Sequence, residues 1–146
     1  MLLANRDFAW KYPLNYARFE ELCADLLEQL YPMSKIRLAG NANNADDGRD
    51  VLIYNSDETL SICQCKAYRR SVGKSDVKDI RDTIEFHGAT GFFLMVSSTI
   101  TSPLIKHLEL LRPKYKIEWW TEREIFKLLR RYPLLAEEYE DIIEIK

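Results

Sequence analysis

Gln64 and Lys66 stand two residues apart in the otherwise apolar stretch LSICQCKA (Leu60 to Ala67), and Asp50 lies at the start of the preceding apolar stretch RDVLIY (Arg49 to Tyr54). Side chains two apart on a strand share a face, so Gln64 and Lys66 continue the face of Leu60 and Ile62. A lysine in such a wall is costly unless a carboxylate or an anion lies close. Asp50, on the paired strand, is the expected partner. The chemistry these groups suit is phosphodiester hydrolysis. A hard cation neutralises phosphate charge and activates a water, and oxygen atoms are its natural ligands. Asp50 offers a carboxylate, Gln64 an amide carbonyl and Cys65, between the two polar residues, a backbone carbonyl. Lys66 can hydrogen-bond the attacking water or a phosphate oxygen and stabilise charge as it develops.

The flanking elements must hold these groups together. The five residues NSDET between the two stretches are short enough for a hairpin. Upstream, Asn15 is placed to cap a helix running to about Tyr31, where Pro32 stops it. Its apolar face is Phe19, Leu22, Cys23, Leu26, Leu27 and Leu30. At about 100° per residue, Glu20 falls roughly 90° from the centre of that face. It stands at the edge of the buried stripe, able to reach a metal, whereas Glu21 faces solvent. The polar stretch GNANNADDG (Gly40 to Gly48) reads as a loop.

Downstream, Ser75 is expected to cap a helix through about His87. GFFLMVSS (residues 91 to 98) reads as a central strand covered on both sides. A helix follows from Thr101 or Ser102 with Pro103 in its first turn, then a strand at Lys116 to Trp120. Thr121 and Glu124 form a capping box for a helix to about Arg131, and Pro133 opens a last helix, PLLAEEYEDII. Helices alternating with strands imply a single α/β domain over residues 1–146, a mixed β-sheet core flanked by helices on both faces. Of Trp119 and Trp120, one must face the core, which argues for packing over base stacking.

The formal charge of −2 in 146 residues does not point to a polyanionic partner, but its distribution does. Lys66 to Arg81 carries six cations against two acids, and Glu118 to the end carries eight acids against five bases. Such asymmetry lets a near-neutral chain present one basic face. Three cysteines cannot all pair, no CxxC is present, and the two histidines lie 20 residues apart, so the reading is buried thiols in a reducing compartment rather than a zinc site. MLLANRDFAWKYP lacks the marks of a secretory signal, and no apolar run approaches the roughly 20 residues of a membrane span. The expectation is a cytoplasmic protein with no membrane partner.

FEELCADLLEQL (Phe19 to Leu30), DDGRDVLIY (Asp46 to Tyr54), CQCKAYRRSVGKSDVKDI (Cys63 to Ile80) and GATGFFLMVSSTIT (Gly88 to Thr101) together resemble the Mrr-like branch of the restriction-endonuclease-like (PD-(D/E)xK) nucleases. The resemblance implies that fold and a metal-dependent endonuclease domain acting on double-stranded DNA, in restriction or antiviral defence. It implies Mg2+ as cofactor, with Mn2+ able to substitute. Residue by residue, the family's metal-binding aspartate falls on Asp50, its Q/E on Gln64, its lysine on Lys66 and its first-helix glutamate on Glu20. Asp47 resembles a loop acid of the family whose role stays open. Gln64, where most of the superfamily has an acid, removes a charge and leaves one or two metals open. On this placement Arg69, Arg70 and Lys74 lie where the DNA backbone runs, Tyr68 packs against sugar or base, and the helix start at Ser75 holds a phosphate. Alternatives are a structure-selective resolvase-type nuclease, which needs a dimer to cut both strands, and a catalytically silent nucleic-acid-binding module. Nucleases of this branch often sit beside a sensing or specificity module, so the chain is read as a stand-alone defence domain or the cutting domain of a larger protein.

Overall fold

The computed structural model describes residues 7–39, 50–77 and 79–146. The expected loop Gly40 to Gly48, with Asp46 and Asp47, and the strand start at Arg49 lie outside the described residues. The elements in chain order are β1 (Phe8–Trp10), α1 (Tyr16–Leu30), β2 (Lys35–Leu38), β3 (Val51–Tyr54), β4 (Leu60–Lys66), a 3-10 turn (Lys74–Asp76), α2 (Ile80–Phe86), β5 (Gly91–Val96), α3 (Ser102–Leu111), β6 (Lys116–Trp120), α4 (Glu122–Arg131), α5 (Pro133–Glu138) and β7 (Ile143–Ile145).

Five strands form one sheet in the order β2-β3-β4-β5-β6. β2, β3 and β4 run antiparallel, and β4, β5 and β6 run parallel. The parallel strands need crossovers, and α2 and α3 supply them. On one face α1, α4 and α5 cover Val51, Ile53, Cys63, Cys65, Phe93 and Met95. On the other, Ile80, Ile84, Leu104, Leu108 and Leu111 of α2 and α3 pack on Leu52, Ile62, Phe92, Leu94, Val96 and Ile117. Every residue of β5 is buried, as its unbroken apolar run requires of a strand covered on both sides. The mixed sheet with helices on both faces is therefore the architecture expected from the sequence.

Local signals set most boundaries. The Asn15 side chain accepts from Arg18 N at 3.0 Å, and Thr101 caps α3 with Pro103 in the first turn. The Glu124 carboxylate accepts from Thr121 N at 2.9 Å, closing the capping box of α4.

Three expectations are corrected. The helix from Ser75 to His87 is split: residues 74–76 make only a 3-10 turn, Val77 is extended and buried, and Asp79 caps the shorter α2 by accepting from Asp82 N at 3.3 Å. Seating the Val77 side chain in the core outweighs helical continuity there. The last helix ends at Glu138 instead of running through Ile143. The chain turns so that Ile143 pairs with Trp10 in a small antiparallel β1–β7 sheet, a tertiary pairing that overrides local propensity. β2 is a further strand, missing from the expected order, which pairs Leu38 with Val51 at the edge of the sheet. Among the described residues, no helix is long and apolar enough to cross a membrane.

Gly91 opens β5 between β4 and β6, where a Cβ would lie 2.5 Å from Ser61 Oγ and 3.0 Å from the Lys116 carbonyl oxygen. Gly91→Ala is expected to lower stability by about 1–3 kcal/mol through overpacking. Chemical denaturation reads it, and an unchanged midpoint would show that the strands part at no cost.

Candidate active site

The site forms because β3 and β4 differ in length. The last ladder pair is Val51 with Cys63, and Asp50 N donates to the Cys63 carbonyl at 2.8 Å. β4 continues to Lys66, and among the described residues no strand meets the N–H and C=O of Cys65. Side chains supply the partners. Asp50 Oδ2 accepts from Cys65 N at 2.7 Å, and the Tyr16 hydroxyl donates to the Cys65 carbonyl at 3.2 Å. A buried backbone pair is thereby satisfied, and a carboxylate and a phenol are held at the open end of the hairpin.

α1 delivers the second acid. Glu20 follows Tyr16 by one helical turn, the spacing that puts both on one side of α1. Burial foremost, then a hydrogen bond with Asp50 and the Asp50 charge, push the Glu20 carboxyl up to about 8. The Tyr16 phenol is raised far above its ordinary range, chiefly by burial, with Asp50, Cys65 and Glu20 adding, so it stays a proton donor. Glu21 is turned away as expected, half-exposed and paired with Arg18 at 3.5 Å.

Gln64 follows Cys63 on β4, opposite Leu94 of β5, and is buried. Among the described residues its buried Oε1 has no hydrogen-bond partner, although buried carbonyls are almost always satisfied. Lys66 sits opposite Val96, on the α2/α3 side of the sheet. No ion pair joins it to Asp50 among the described residues. Its ammonium lies 5.6 Å from the centroid of the Tyr68 ring, so the hydrogen-bonded or one-water approach to Asp50 expected from the sequence is not made as a direct ion pair. The reason is local: Asp50 is drawn to the backbone of Cys65, and Lys66 leaves the strand on the Tyr68 side. Among the described residues, no three His, Cys, Asp or Glu side chains gather as a metal site. The Asp50 and Glu20 carboxyls meet beside the Cys65 carbonyl, and the Gln64 amide oxygen belongs to the preceding residue of β4. An all-oxygen set of this kind fits a hard divalent cation.

The segment after Lys66 is pinned to the loop beyond β5, with Ser98 Oγ donating to the Arg70 carbonyl at 2.6 Å and Ser97 Oγ to the Tyr68 carbonyl at 2.9 Å. Arg70 is held by Asp76 through bonds of 2.8 and 2.7 Å, and the Arg70 guanidinium keeps the Asp76 carboxyl far below its usual range. Arg69 lies exposed over the Tyr12 ring, 4.4 Å from its centroid, and Lys74 is exposed at the 3-10 turn. Ser75 lies within that turn and caps no α-helix, so the helix-terminus basis for its phosphate role is lost. Tyr12 and Tyr16 were missing from the sequence reading. The spacing of Tyr16 four before Glu20 was the available signal; Tyr12 gave none.

Residues 13–129 match the family model described as restriction endonuclease, Mrr_cat. That span holds Tyr16, Glu20, Asp50, Gln64 and Lys66. Among curated proteins, none matches the chain. Solved structures similar to it include the DNA modification-dependent restriction endonuclease AspBHI, 20% identical with a TM-score of 0.64, covering 87% of this chain and 35% of that one. A protein of unknown function, AF1548, is 17% identical with a TM-score of 0.59 over 78% of this chain and 65% of its own. The MspJI restriction endonuclease, in complex with a 27-mer oligonucleotide, is 14% identical with a TM-score of 0.51 over 82% and 31%. The chain thus spans about a third of AspBHI and MspJI. At these identities the structures speak for the fold, and the family model for membership: the chain belongs to the Mrr-type restriction endonuclease family.

The raised Glu20 carboxyl has a stability consequence. Below about pH 4.5 it is protonated folded and unfolded alike. Between there and about 8 the folded state keeps a proton that the unfolded state has released, so its contribution is lost as pH rises through that window. In metal-free buffer, Glu20→Gln is therefore expected to gain stability relative to wild type from pH 5 to 9. Melting curves across that range check it, and parallel pH profiles would sink the assignment.

Proposed function

We propose that this domain is a metal-dependent endodeoxyribonuclease whose centre is Asp50, Glu20, Gln64 and Lys66. The observation that carries the reading is the Gln64 Oε1, buried and unpartnered among the described residues, on the β4 residue next to Cys65, whose N–H holds Asp50. A protein tolerates such an atom where a ligand completes it. A divalent cation, Mg2+ with Mn2+ as substitute, would be held by Asp50, Glu20, Gln64 Oε1 and the Cys65 carbonyl. When bound, it supplies charge neutralisation at the phosphate and a more acidic water.

The chain's own groups do the rest. Asp50 is fixed by Cys65 N and cannot swing away. Lys66, beside the Tyr68 ring, is free of a carboxylate partner within ion-pair range among the described residues. Its ammonium can therefore donate to the scissile phosphate or the attacking water, where charge appears only as the bond breaks. Arg69 and Lys74, exposed beyond Lys66, would carry the DNA backbone. Arg70 is largely neutralised by Asp76, so we assign it to holding the loop rather than to phosphate. Tyr68 packs between two cations, Lys66 and Arg70. The partner is double-stranded DNA; AspBHI is described as DNA modification-dependent and MspJI is solved with an oligonucleotide, and we extend DNA, without either protein's specificity, to this chain. Because the chain spans only a third of each, a fused or associated specificity module fits, as does a cytoplasmic setting in which three buried cysteines stay free.

A plasmid-nicking assay with Mg2+ or Mn2+ tests the reading. Wild type cuts; Lys66→Ala loses at least about 100-fold in rate and still binds DNA; Asp50→Ala loses cleavage together with Mg2+-dependent thermal stabilisation. Failure of wild type on plain, methylated and branched DNA would favour a silent binding module.

Salt titration tests the DNA face. Arg69→Ala with Lys74→Ala should reduce the slope of log K against log salt by about 0.9 per lost phosphate contact. Arg70→Ala alone should change it little. A slope unmoved by the double variant would place the DNA elsewhere.

A further inference from the structure

One side chain at the open end of the hairpin has no part in the mechanism above. The Tyr16 hydroxyl donates to the Cys65 carbonyl at 3.2 Å, long for an O–H···O bond. Cys65 is also the residue whose N–H holds Asp50, and Glu20 follows Tyr16 by one turn of α1. Three of the four groups assigned to the cation therefore surround one hydroxyl. Burial alone does not account for the placement, because Tyr16 as a residue is 38% exposed and a phenylalanine could cover the same surface. The phenol also lies within hydrogen-bonding reach of the Asp50 and Glu20 carboxyls, so its polar contacts run to the groups assigned to the cation.

We infer that Tyr16 is a placeholder for the cation: in the metal-free protein its hydroxyl fills the space between the Cys65 carbonyl, Asp50 and Glu20, and it swings out of that space when the cation binds. Tyr16 is thus a positioning residue. It keeps the carbonyl aimed into the site when no metal is there, at the expense of metal affinity, and its partial exposure gives it room to rotate outward. The inference rests on the metal-dependent reading above.

The sign of the effect separates this role from a merely structural one. Loss of a structural hydrogen bond at a binding site weakens binding. Loss of a competing one strengthens it. Tyr16→Phe keeps the ring and removes only the competitor, so Mn2+ should bind it about twofold to tenfold more tightly than wild type, the worth of one ordinary hydrogen bond. The thermodynamic cycle gives a second readout. The metal-free variant should melt below wild type, while the two should melt together at saturating Mn2+, because neither then uses the hydroxyl at Cys65. Calorimetric titration of wild type, Tyr16→Phe and Asp50→Ala with Mn2+, with melting curves for each, decides the matter. Tighter binding by Tyr16→Phe with convergent loaded melting points supports the placeholder. Equal or weaker binding overturns it while leaving the metal reading intact, provided that wild type binds and Asp50→Ala does not. If wild type binds no Mn2+, the metal reading falls and this inference with it.

Discussion

A strand that outruns its neighbour leaves backbone groups that something else must satisfy. β4 extends to Lys66 while β3 begins only at Val51, opposite Cys63. The N–H and C=O of Cys65 are buried and would cost about 1–3 kcal/mol each if left unmet. Asp50 and Tyr16 meet them. This one mismatch brings a carboxylate into the sheet plane and anchors the start of α1, which carries Glu20, over the hairpin. A β3 continued far enough to face Cys65 would satisfy it through the ladder, and Asp50 would then be an ordinary strand residue.

The sheet also sorts the charges. Acids come from the α1 side: Glu20 from the helix and Asp50 from the strand start. Cations come from the β4 exit, where Lys66 and the segment to Lys74 leave past Tyr68. Such separation keeps Lys66 from collapsing onto Asp50 and so preserves its capacity to donate elsewhere. The Arg70–Asp76 pair shows the opposite outcome. There a cation and an acid six residues apart find each other, Asp76 also takes Gly73 N at 2.8 Å, and the result is a braced loop with little charge to offer.

What was legible in the sequence is what depends on short-range pattern. Asn15, Pro103 and the Thr121–Glu124 box act within one turn, and the six buried residues of β5 announce themselves as an apolar run. Asp50, Gln64, Lys66 and Glu20 could be named because each interrupts or borders an apolar pattern. The missed features depend on distant partners. β1 and β7 are three residues each, paired across more than 130 positions, and carry no periodicity of their own. β2 is a mostly exposed edge strand of four residues, too short for alternation to speak. The 3-10 turn at Lys74 is decided by where Val77 must be buried. Lys66 could be assigned to the sheet face of Ile62 but not to the Tyr68 ring, because side-chain direction beyond the strand is set by the loop that follows.

The glutamine at 64 follows from the acids already gathered at Cys65. Burial, with the neighbouring Asp50 adding, already raises Glu20, and Gln64, next to Cys65 on β4, is itself buried. A glutamate there would add a third negative group in low dielectric, and one of the three would have to hold a proton or shift the backbone to escape the others. Glutamine keeps the donor oxygen and omits the charge. It leaves an unpartnered carbonyl, a penalty a neutral amide bears more cheaply than a carboxylate would bear its neighbours. In the proposed reading the two remaining acids together carry the charge of one divalent cation, and the amide oxygen and the Cys65 carbonyl add ligands without adding charge.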